Sequence, residues 1–93
     1  MSHIKVDKQA HRYVATVEGA AGEAELTFTM VAPDLMTANH AYAPQRLRGT
    51  GAALALVERM VADARADGFK VRPLCSYVRA KFRERDDWRD ILA

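Results

Sequence analysis

Apolar and polar residues alternate through the first half of the chain, then change to a helical period. Ile4 and Val6 mark a short first strand, with a break at residues 7–9. Across 11–17, Tyr13, Ala15 and Val17 share one face, and Arg12, Val14 and Thr16 the other. Residues 18–22 read as a turn. The next strand has the cleanest alternation: Ala24, Leu26, Phe28 and Met30 against Glu23, Glu25, Thr27 and Thr29. That pattern predicts an antiparallel strand with one polar face. Ala32-Pro33-Asp34 interrupts it, and a fourth strand is expected over 35–43. Regular alternation there points Met36, Ala38, His40 and Tyr42 one way and Thr37, Asn39 and Ala41 the other. Pro44 ends the strand because it has no N–H for a ladder.

Ala53, Leu56, Val57, Met60 and Ala64 then recur at three- and four-residue spacings, one face of a helix. Thr50 is the expected N-cap and Gly68 the expected stop. A fifth strand follows over 69–72 and halts at Pro73. Residues 76–85 read as a second helix with Val78 and Phe82 toward the core. Asp86 or Asp87 is the expected cap of a last short helix carrying Trp88, Ile91 and Leu92. The order is β-β-β-β-α-β-α, an α+β chain with a mixed antiparallel and parallel sheet. Its last two strands are expected to be parallel, joined by the one crossover.

Composition narrows the function. The chain has 93 residues, 49% hydrophobic and 28% charged, which reads as one folded domain over 1–93 rather than a disordered segment. At this length folding buries about two-thirds of the unfolded surface, so the core is small. A net charge of +2 is too weak by itself to argue for nucleic acid, which is not the expected partner. One cysteine excludes an internal disulfide and points to a reducing cytoplasm. The start, Met1-Ser2-His3-Ile4-Lys5, has no apolar leader-like core, and no run reaches membrane-spanning length. No metal is expected.

The candidate chemistry lies at the start of the long helix. Arg46 and Arg48 precede Gly49 and Gly51, and the helical run begins directly afterwards. A helix start leaves N–H groups unbonded and carries partial positive charge. Glycine lets a ligand approach that backbone closely. Together with the arginines this describes an anion site, most simply for phosphate. The competing reading is a tight entry turn with two solvated arginines. A Walker loop does not fit, because no Lys-Ser or Lys-Thr follows Gly51; a dinucleotide loop does not fit, because the third glycine is missing.

Arg46-Leu47-Arg48-Gly49-Thr50-Gly51 resembles the Arg/Gln-x-x-Gly-x-Gly/Ala signature of the GNAT acyltransferase superfamily. Full-length members carry two helices after the first strand, for which Val6 to His11 leaves no room. The chain is similar instead to the short N-acetyltransferase-like members built on the core alone. Further agreement comes from Arg12-Tyr13, Gly19, Asn39-His40, Pro73-Leu74-Cys75-Ser76-Tyr77-Val78 and Asp87-Trp88; Ala41 departs from the threonine usual there. The resemblance implies an N-acetyltransferase using acetyl-CoA (coenzyme A) and an amine acceptor. It implies pantetheine and acetyl carbonyl on backbone groups of Ala41, Tyr42 and Ala43. Pyrophosphate would sit on amides from Leu47 to Ala52, through Arg48, Gly49, Thr50 and Gly51, with Arg46, Ser76 and Arg79 also at the cofactor.

Acetyl transfer needs a held thioester, a stabilised oxyanion, a neutral amine and a proton for the leaving thiolate. Cys75, just before a helix, is the candidate for transient acetyl acceptance; it also suits a place beside the thioester sulfur or in the core. His40 is the candidate base, against a packed strand histidine. Tyr77 offers a proton to a thiolate, or a bonded core hydroxyl. A monomer or weak homodimer is expected. The alternative function is a non-catalytic CoA-binding or interaction module, motivated by the absent acceptor helices.

Overall fold

The computed structural model describes residues 3–93. Strands β1 (Ile4–Lys8), β2 (Arg12–Val17), β3 (Ala24–Ala32) and β4 (Leu35–Tyr42) form an antiparallel meander. Helix α1 (Ala52–Asp67) crosses to β5 (Lys70–Pro73), which pairs parallel to β4. The sheet order is β1-β2-β3-β4-β5, a mixed sheet as the alternation and the single crossover require. Helix α2 (Ser76–Glu84) and a 3₁₀ turn, Asp86–Ile91, complete the chain. β1 reaches β2 through residues 9–11, so the two helices of full-length GNAT folds are absent there. No described helix is long and apolar enough to cross a membrane.

One sheet face makes the core. Tyr13, Ala15 and Val17 of β2 and Ala24, Leu26 and Phe28 of β3 meet Leu56, Val57, Met60, Val61 and Ala64 of α1. The alternating residues of the strands are those read from the sequence, except that Met30 is exposed; on α1 Leu56, Val57, Met60 and Ala64 are buried as expected, but Ala52 and Val61 join them and Ala53 is only half-buried. Burying a leucine here, Leu26 or Leu56, contributes about 1.5 to 3 kcal/mol each. A polar tie fixes α1 to the sheet. The fully buried Tyr13 donates its hydroxyl to Asp63 Oδ2 at 2.8 Å. Arg59 donates to Asp63 Oδ1 at 3.1 Å and to the Val6 carbonyl at 3.2 Å.

Strand β4 departs from regular alternation. Its register against β3 slips between Thr27 and Phe28, where Thr27 pairs with His40 but Phe28 with Ala38. Asn39 is the extra residue of a β-bulge. Met36 and Ala38 face the core as expected, but beyond the bulge His40 pairs with polar Thr27 and Ala41 with buried Leu26. His40 and Tyr42 therefore lie on the opposite, polar face, and Ala41 and Ala43 pack against the core. The simple alternation is corrected here because one inserted residue reverses every later side chain.

The C-terminal segment closes the far edge. Phe82 and Trp88 meet edge to face at 5.6 Å, and Arg85 lies 4.3 Å from the Trp88 ring. Leu92 bridges to Val71 in parallel, and the Ala93 N–H donates to the Val71 carbonyl at 2.8 Å. Arg65 of α1 grips Asp90 at 2.9 Å, and Lys70 donates to the Asp90 carbonyl. The expected Asp86 or Asp87 cap does not form: Arg85 stands at that position without a side-chain cap bond. Asp87 instead pairs Arg85 at 2.8 Å, a charge-assisted contact that competes for the carboxylate.

Candidate functional site

After Pro44 the chain makes a 3₁₀ turn, Gln45–Leu47, held by Leu47 N–H to Pro44 O at 2.9 Å and Arg48 N–H to Gln45 O at 3.1 Å. Gly49 and Gly51 follow at φ +82° and +91°, a region that a Cβ penalises. The expected Thr50 cap moves by one residue, and Gly51 occupies the N-cap of α1. The Thr50 hydroxyl donates to the Leu47 carbonyl at 2.5 Å and accepts from the Ala52 N–H at 3.2 Å. It braces the loop from inside.

The amides of Leu47, Arg48, Thr50 and Ala52 are thus bonded within the loop. Those of Gly49, Gly51, Ala53 and Leu54 have no partner among the described residues. All four of these residues border one cleft of about 540 Å³. Its other walls are Ala41, Tyr42 and Ala43 of the β4 end, Leu47, Arg48 and Ala52 of the loop, and Tyr77 and Lys81 of α2. Arg48 and Lys81 are its charged residues, and no carboxylate lines it. Arg48 is steadied by donating Nε to the Ala43 carbonyl at 3.2 Å.

The cleft exists because β4 and β5 part company. Their pairing runs only from Leu35 and Lys70 to Ala38 and Pro73, and Leu74 and Cys75 both donate to the Ala38 carbonyl, at 2.9 and 3.1 Å. Phe28 N–H donates to His11 O, so the backbone groups of Phe28 turn toward β2 and, by alternation, those of Thr27 and Glu25 toward β4. Their partners His40 and Tyr42 face β3. The N–H and C=O of Ala41, between them, face the side that β5 has vacated.

The sequence profile of the GCN5-related N-acetyl-transferase family matches residues 12–91. The chain belongs to the GCN5-related N-acetyltransferase family. A GCN5-like protein from Staphylococcus aureus, solved by NMR, is similar in fold: the TM-score is 0.78 at 20% identity, over 100% of this chain and 91% of that one. No curated protein matches the chain.

The other residues singled out from the sequence fall around this GNAT-fold cleft without lining it. Arg46 is exposed on the 3₁₀ turn. Cys75 stands at the N-cap of α2, half-buried against the core, two residues from cleft-lining Tyr77. Ser76 is exposed in the first turn of α2. Arg79 points to a separate groove with Arg83 and Arg89. His40 is exposed on the polar sheet face, its carbonyl accepting the Thr27 hydroxyl at 3.3 Å. Lys81, not singled out from the sequence, lines the cleft with its ammonium 5.4 Å from the Tyr77 ring centre. The signal was present: Tyr77 and Lys81 are four apart, on one helix face. Burial raises the Tyr77 phenol above its ordinary pKa, while the Lys81 charge works in the opposite direction.

Proposed function

We propose that this chain binds acetyl-CoA in the cleft and transfers its acetyl group to an amine. The observation that carries the reading is the bed of unpartnered amides at Gly49, Gly51, Ala53 and Leu54, in a cleft whose charged residues are cations. That donor set suits a diphosphate: main-chain N–H groups at a helix start, backed by Arg48 and Lys81. The Cβ-free position at Gly49 leaves open space above it. From there the cleft leads to Ala41, whose backbone groups face the side that β5 has vacated and suit an amide-bearing arm, and to Tyr77.

When bound, acetyl-CoA supplies an activated thioester that an amine can attack. The chain's contribution is to hold and orient it, and to provide a proton. Tyr77 is a phenol, protonated at neutral pH at its ordinary pKa of 10.0 and raised further by burial; it serves as general acid toward the departing sulfur and regains a proton from the amine as the amide forms. Cys75 and His40 do not border the cleft, and the reading is therefore direct transfer without an acetyl-cysteine intermediate.

Calorimetry with acetyl-CoA tests the cofactor. Saturable binding that weakens in Arg48→Ala is expected; no heat at high micromolar ligand overturns the reading. Saturable binding with no transfer to a broad amine panel favours a CoA-binding module instead. Intact mass after incubation tests the route, since an acetyl adduct lost in Cys75→Ala overturns direct transfer.

A further inference from the structure

We infer that α2 carries a second ligand site on its other side, a groove between Arg79, Arg83 and Arg89 that takes a small organic anion. Two steps along a helix turn about 200°, so Arg79 and Arg83 face away from Tyr77 and Lys81. They border a separate cavity of about 260 Å³, with Pro73, Phe82 and Leu92 as its apolar part and Asp86 as its one carboxylate.

The charges around this groove are unbalanced in a specific way. Each Asp and Glu side chain of the C-terminal segment already has a cation. Glu84 pairs Lys81 at 3.3 Å, Asp86 pairs Arg89 at 3.3 Å, Asp87 pairs Arg85 at 2.8 Å, and Asp90 pairs Arg65 at 2.9 Å. Arg79 and Arg83 have no acidic partner among the described residues. They are also four apart on one helix, where like charges repel. Arg79 lies near the α2 N-terminus, and no acidic residue occupies that first turn to offset the positive end of the dipole. Folding alone would favour the removal of such charges. A bound anion compensates all three effects at once.

The groove also defines the ligand. Guanidinium groups pair carboxylate or phosphate oxygens in a fork. Phe82 is buried under the groove and Leu92 is 39% exposed at its edge, which suits a short apolar body attached to the anionic head. The volume is smaller than the cofactor cleft and suits a group the size of an aromatic carboxylate or phosphate monoester.

Phenyl phosphate and benzoate are the probes, with benzyl alcohol as the neutral control and sodium chloride at matched ionic strength. An amide NMR titration of the whole chain should show saturable shifts around Arg79, Phe82, Arg83 and Leu92 with the anions only. The double variant Arg79→Gln, Arg83→Gln should bind at least about tenfold more weakly. Without ligand it should melt at the same temperature as wild type or higher, because a repulsion has been removed. Four results overturn the proposal: no saturable shift, the same shifts with sodium chloride, equal affinity in the double variant, or displacement of the probe by CoA. The last would make the groove an arm of the cofactor cleft. Because the probes are not acyl-CoA, absence of acetyl transfer leaves this test intact.

Discussion

Gly49 has φ +82° and open space where a side chain would stand. Alanine there costs about 1 to 2 kcal/mol for the left-handed backbone and sets a methyl over the bed of amides. Gly49→Ala should therefore lower the melting temperature modestly and weaken acetyl-CoA binding by about tenfold or more, read by calorimetry. Tyr77→Phe separates holding from chemistry. Affinity for acetyl-CoA should stay near wild type while kcat falls about a hundredfold, a typical loss for a general acid. An unchanged kcat would remove Tyr77 from the reaction. At this scale the glycines were readable because few residues tolerate their backbone angles. Tyr77 is a candidate from the sequence, but its place beside Lys81 in the cleft is not legible there, since a helix face acquires its meaning only from what it is packed beside.

Between elements, the contact most open to test is the hydroxyl that joins β2 to α1. Tyr13 has its pKa raised, first by burial and then by its bond to Asp63. The folded state therefore keeps a proton that the unfolded chain releases as pH rises past the ordinary value of 10.0. Stability from this group is full below that value and is lost as pH climbs toward the folded pKa. Tyr13→Phe should cost about 1 kcal/mol near neutrality and flatten the alkaline decline, measured by urea unfolding at several pH values. The apolar stripe on α1 is visible in the sequence, but nothing in that pattern singles out Asp63. Its use depends on Tyr13, fifty positions away along the chain. The bulge at Asn39 is similar: period two continues unbroken through β4, and only the register with β3 reveals the extra residue.

For the molecule as a whole, the last turn decides whether the small core stays closed. Trp88 is buried against Phe82, and the following residues pair with Val71 of β5. Trp88→Ala should cost about 3 to 5 kcal/mol. Native stability of a domain this size is about 5 to 15 kcal/mol, so the variant should lose much of its margin. Thermal unfolding by circular dichroism should show a large drop in midpoint or loss of a cooperative transition. A small drop would mean that the sheet and α1 fold without this anchor.

The order of elements, the parallel β4–β5 pair and the glycine turn follow from local rules: period, proline and glycine positions, and the few allowed connections. These constraints act over a few residues, and the sequence by itself determines them. The cleft is a different kind of object. It arises where β5 stops pairing at Pro73, where the bulge turns Ala41 inward, and where α2 brings Tyr77 and Lys81 to the loop. Each of these depends on distances between segments remote in the chain, which tertiary packing sets.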